Sequence, residues 1–166
     1  MTLRDEVGQF DRVAKELGTL LEPASEAVEP IDVGQMLGEC VGLVRTSAMA
    51  RRVAIVFPDA GETVSLVASR RQLRCLIVTV LSSLIDRALP GTRIDIAMRA
   101  TRIKARDWVS CALTATAAVD SGPSRPVIDA KDEVARRIAA AMGGELKLTT
   151  APAHAQIEFR LPRSTA

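Results

Sequence analysis

Few side chains in this 166-residue chain are equipped for chemistry. The one histidine, His154, is by type a phosphoacceptor or a metal ligand. It lies in Ala151-Pro-Ala-His-Ala155, a turn-like stretch with no second ligand nearby in sequence, which reads as an exposed turn. Ser82 and Ser83 stand side by side, but a serine nucleophile needs a base, and no histidine is available to serve either one. Cys40, Cys75 and Cys111 are widely spaced, odd in number and set in apolar patterns, so they read as reduced core thiols in a cytosolic protein. Arg70, Arg71 and Arg74 are of a type to meet phosphate or an acidic partner, and Arg99, Arg102, Lys104 and Arg106 form a second basic stretch. A solvated face is the more common meaning of such clusters.

The bulk composition narrows the classes. Apolar residues make up 48 % and charged residues 25 %, which suits a packed core of one domain, or one domain plus an appended helix. A net charge of +2 argues neither for nucleic acid nor for an anionic membrane. The aromatics are Phe10, Phe57, Trp108 and Phe159, with no tyrosine, too few for a base-stacking platform. No apolar run reaches the roughly 18 residues of a spanning helix, and the charged N-terminus is unlike a secretory signal.

The elements that would position any site follow from periodicity. Val7, Phe10, Ala14, Leu17 and Leu21 fall on the a and d positions of a heptad. One narrow stripe on a short helix needs a second helix to be stable in water. Residues 23–31, with Pro23 and Pro30, read as a linker, and residues 32–163 as one domain. Asp32 with Gln35 opens a helix that buries Val33, Met36, Leu37, Cys40 and Val44. Val53–Phe57 and Thr63–Val67 read as strands joined through Pro58-Asp-Ala-Gly61. Ser69 with Gln72 opens a helix carrying Leu73, Leu76, Ile77, Val80, Leu81, Leu84 and Ile85, which Pro90-Gly91 stops. Ile94, Ile96 and Met98, then Val109, Cys111, Leu113 and Ala115, alternate as strands with one wet face. Asp129 is placed to cap a helix running to Met142 and ended by Gly143-Gly144, and residues 145–148 and 156–161 form a hairpin. The expected fold is α+β: a two-layer sandwich of a mixed, largely antiparallel sheet with helices on one face, preceded by an N-terminal dimerisation-type helix over residues 1–22.

The helix Leu73-Arg-Cys-Leu-Ile-Val-Thr-Val-Leu-Ser-Ser-Leu84 resembles the asparagine-box helix of the histidine-kinase ATPase family. The likeness runs almost end to end. Asp11–Leu17 through Pro30-Ile-Asp-Val33 is similar to the second dimerisation helix and its junction. Val134–Glu145 is similar to the helix and Gly-Gly turn after the second glycine box. The resemblance implies an ATP site, but its ligand groups diverge. The two asparagine positions read Thr79 and Ser83, whose hydroxyls are shorter and poorer hard-cation ligands than an amide oxygen. Leu84 replaces the small residue usual after the second asparagine. Asp120-Ser-Gly122-Pro-Ser124 keeps the aspartate and first glycine of the first glycine box and loses the second. Asp120 then either meets adenine or simply makes a turn, which these residue types suit in any case. The second glycine box reads Asp129-Ala-Lys-Asp132, with carboxylates where helix-terminal N–H groups would face phosphate. The phosphoaccepting histidine helix has no counterpart here.

The resemblance, with these losses, implies a cytoplasmic, non-catalytic histidine-kinase-like signalling protein in a two-component phosphorelay. It would act by binding a histidine kinase or response regulator, and would pair through its N-terminal helix as a homodimer or heterodimer. No cofactor is expected, and ATP with Mg²⁺ is disfavoured. The alternatives are an ATP-binding catalytic fragment of a sensor kinase, or a kinase-derived phosphotransferase whose phosphoacceptor helix is missing.

Overall fold

Asp32 ends one strand and starts one helix. Its carboxylate accepts from the Gln35 backbone N–H at 3.1 Å, satisfying a first-turn donor of the helix. In this computed structural model, which describes residues 27–57, 63–118, 130–151 and 153–163, ten elements follow. They are β1 (Glu29–Asp32), α1 (Val33–Ala50), β2 (Ala54–Val56), β3 (Ser65–Ala68) and α2 (Arg70–Arg87), then β4 (Arg93–Ile103), β5 (Arg106–Thr116), α3 (Ala130–Ala141), β6 (Glu145–Ala151) and β7 (His154–Pro162). The heptad of residues 7–21, Asp120, Gly122 and Asp129 lie outside the described residues.

Five strands form one sheet in the order β2-β4-β5-β7-β6. Only β2–β4 is parallel; the other neighbours are antiparallel. The helices cover one face, as a two-layer α+β sandwich requires. Ile94, Ile96, Val109, Cys111, Leu113, Ile157, Phe159 and Leu161 line the inner face and are buried with all seven apolar positions expected on α2. Cys40 and Cys111 belong to this core. Burial pushes the Cys111 thiol up to about 12. It does the same to Cys40, to about 11, against a smaller opposing effect of Arg74 and with a small addition from Glu39.

One boundary differs from the sequence reading, and one pairing is decided only by the fold. Residues 29–31, read as linker, form β1, which pairs antiparallel with β3 in a separate two-stranded sheet. Pro30 is tolerated there because such a sheet consists of edges, where a missing N–H need cost no ladder bond. The strands flanking Pro58–Gly61 do not pair with each other. β2 joins the large sheet beside β4, while β3 pairs with β1.

The outer face of the sheet is polar. Along one row Arg99, Ser110, Arg160 and Glu145 stand side by side, and Glu158 lies in the next. The Ser110 hydroxyl, a donor at 2.8 Å, holds Glu158 below the usual carboxylate range. Arg160 and, more weakly, Arg99 reinforce that direction, while partial burial opposes it.

Candidate functional site

α2 begins where the Ser69 hydroxyl accepts from the Gln72 N–H at 3.3 Å. From that cap the helix places Thr79 and Ser83 one turn apart, as the asparagine frame requires. Their environments differ. Thr79 is half-buried, with its hydroxyl 4.0 Å from the Cys75 sulfur. Ser83 is 1 % exposed.

Ser83 is already engaged. Its hydroxyl donates to Asp132 Oδ1 at 2.7 Å and accepts from Arg87 Nη2 at 2.9 Å. Arg87 also forms an ion pair with Asp132 Oδ2. Asp132 comes from the first turn of α3 and is itself 1 % exposed. A carboxylate there complements the positive end of the helix, the same feature that would otherwise attract a phosphate. Outside this cluster Asp86 pairs with Lys131 of α3 and, at 3.8 Å, with Arg51 beyond α1. The α2–α3 seam is therefore closed by an inner triad and an outer ion pair.

This arrangement has a chemical consequence. A Mg²⁺ ion requires about six oxygen ligands in near-octahedral geometry. At Ser83 it would meet a guanidinium within 2.9 Å of the same oxygen, at a hydroxyl that belongs to a buried residue. A phosphate at the start of α3 would meet the Asp132 carboxylate. The groups present do not fit a Mg²⁺–phosphate unit at this position. Among the described residues no cluster of three or more histidine, cysteine or acidic side chains is placed to hold a metal.

Of the residues expected at a nucleotide site, the structure places Thr79 and Ser83 on one helix, and brings Asp132 to Ser83. Asp120 and Gly122 lie outside the described residues, so their approach to this helix is not part of the geometry. His154 opens β7 opposite Ala151 and is exposed, away from the triad's helices. The turn before it contains Ala153 at φ +63°. Arg87 escaped the sequence reading. Its signal was present: Arg87 follows Ser83 by one turn, and Asp132 shares the buried stripe of α3 with Ala135, Ile138 and Ala139. A carboxylate on an apolar stripe calls for a buried partner.

No protein-family model matches the chain, and no curated protein matches it. Solved structures do. The histidine kinase AdeS of Acinetobacter baumannii matches with a TM-score of 0.74 at 10 % identity, over 98 % of this chain and 83 % of that one. The cytoplasmic segment of the histidine kinase QseC matches with a TM-score of 0.67 at 13 % identity, over 95 % of each chain. A histidine kinase from Burkholderia phymatum STM815 matches with a TM-score of 0.64 at 15 % identity, over 99 % of this chain and 82 % of that one. At such identities the likeness is one of fold. Among the described residues no helix is long and apolar enough to cross a membrane.

Proposed function

The chain has a histidine-kinase ATPase-like fold, and from that premise we propose that it is a non-catalytic, cytoplasmic signalling protein that binds other proteins of a two-component phosphorelay. The observation that carries the reading is the largely buried Ser83–Asp132–Arg87 triad. The position where the family places its second asparagine is spent on an internal contact between two helices. Thr79 keeps a hydroxyl, but without an amide oxygen at either position the helix offers Mg²⁺ little.

Calorimetric titration with Mg²⁺-ATP and Mg²⁺-ADP tests this directly. The expected result is no heat and no shift in melting temperature at millimolar nucleotide. Binding in the micromolar range would overturn the reading and favour an ATP-binding catalytic fragment, with Asp120→Asn then the variant to examine.

The proposed partners are a histidine kinase or a response regulator, and the proposed pairing element is the heptad Val7, Phe10, Ala14, Leu17 and Leu21. Leu17→Asp would place a charge at the centre of that stripe. Loss of self-association in sedimentation equilibrium is the expected outcome. Unchanged association would remove the heptad from the interface.

A further inference from the structure

We infer that the free end of the β4–β5 hairpin, on the open face of the sheet, is a docking surface for an acidic segment of a partner protein. The inference deepens the protein-binding reading above by giving it a surface and a partner chemistry.

Three observations meet at this end of the sheet. The first is charge that meets no close ion-pair partner. Arg70 pairs with Glu29 at 2.6 Å and Arg74 with Glu39 at 3.4 Å, so the basic cluster on α2 is largely met from within. Arg136 and Arg137 share Glu133. Arg99, Lys104 and Arg106 have no carboxylate within ion-pair distance among the described residues, and all three are exposed. Asp107 is the one acid in the stretch 99–107, and it lies 4.0 Å from Arg102.

The second is the position of the apolar side chains. The register pairs Ile103 with Arg106, Thr101 with Trp108 and Arg99 with Ser110, all on the face away from the helices. Ile103 remains 39 % exposed. Trp108, the chain's single tryptophan, is half-buried rather than in the core, with the Arg106 guanidinium 6.0 Å above its ring. Tryptophan and arginine are the residues most enriched where protein partners anchor.

The third is reach. β2 pairs only with Arg93–Asp95 of β4, and the ladder of β7 on β5 ends at Trp108, with one further backbone bond from Arg163 N–H to the Asp107 carbonyl at 3.0 Å. Beyond those points the hairpin has no strand neighbour among the described residues. Its turn, Lys104-Ala105, holds both residues at positive φ, +50° and +63°, the backbone of a tight two-residue hairpin that presents Lys104 at the apex. An acidic protein segment fits this combination better than nucleic acid does. The one indole already carries a guanidinium, and no tyrosine is present to extend a stacking platform. A membrane surface would ask for more bulky apolar side chains than Ile103 and Trp108.

The test uses the full chain and fluorescein-labelled polyglutamate at low salt, read by anisotropy. Trp108 emission reports the location, since the chain has no other tryptophan and no tyrosine. Binding with a change in Trp108 emission is expected. Lys104→Glu with Arg106→Glu should weaken it at least about tenfold, because like charges then face each other. Arg45→Glu with Arg137→Glu, the same change in net charge elsewhere, should weaken it less than about twofold. Lys104→Glu alone, at a solvent-facing turn, keeps the comparison open if the double variant folds poorly. No binding, a silent Trp108, or equal losses in the two variant pairs would overturn the proposal. Tighter binding to an oligothymidylate or to phosphatidylserine vesicles would overturn the partner class. Nucleotide plays no part in this measurement, so its failure and the failure of the non-catalytic reading are separable.

Discussion

Replacing Asp132 by alanine is expected to lower the free energy of unfolding by about 2–4 kcal/mol, more than any exposed ion pair in the chain contributes. Asp132 is 1 % exposed and satisfies both Ser83 and Arg87. Removing it takes away the acceptor of the Ser83 hydroxyl and the carboxylate that Arg87 pairs with. The Arg87 side chain retains 23 % exposure, so water offsets part of the loss and the upper end for fully buried pairs is not reached. Asp132→Asn keeps an acceptor for the Ser83 hydroxyl and should cost roughly half as much. Urea titration of the three proteins measures these differences. A loss below about 1 kcal/mol for Asp132→Ala would mean that the triad adds little to the α2–α3 seam.

Gly144→Ala is expected to destabilise the fold by about 3 kcal/mol or more. α3 ends in a paired-turn cap: Gly143, at φ +77°, donates to the Ala140 carbonyl at 3.0 Å, and Gly144 donates to the Ala139 carbonyl at 2.8 Å. Gly143 is required by its backbone angle, whereas Gly144 is required by space. A Cβ there would lie 2.1 Å from the Arg160 carbonyl oxygen and 2.7 Å from Leu161 Cδ2. The side chain could turn aside, but the oxygen belongs to β7, which is hydrogen-bonded to β5 on one side and β6 on the other. Relief requires moving the α3–β6 corner off the sheet. Gly38→Ala is the matched comparison: its Cβ would meet nothing within 4 Å, and a helical alanine should add about 0.5–1 kcal/mol. If thermal unfolding shows the two variants shifted alike, crowding at Gly144 is not the constraint.

What the sequence determined by itself is what short-range physics determines. The caps at Asp32 and Ser69 join atoms three residues apart, so the residue types and spacing suffice to place both helix starts. The apolar stripes of α1 and α2 and the alternation in β4 and β5 repeat with the period of their own element, and the buried positions follow from it, except that Met98 is half-buried and Ser110, on the outer face, is buried. The two-layer α+β class then follows, since those stripes must cover one face of a sheet. The tertiary structure alone decided which distant groups meet. Whether Ala54–Val56 would lie beside Ser65–Ala68 or beside Arg93–Asp95 depends on loop closure and on competing pairings, neither of which is written in a short strand. Asp132 was legible as a carboxylate near a helix start, but its role was set by Ser83 and Arg87, more than forty residues away in sequence. The frame of a nucleotide-binding helix was therefore readable from its periodicity, while the closure of the position it frames arose only when α3 was laid against it, because burying a charge obliges the fold to bring its partner along.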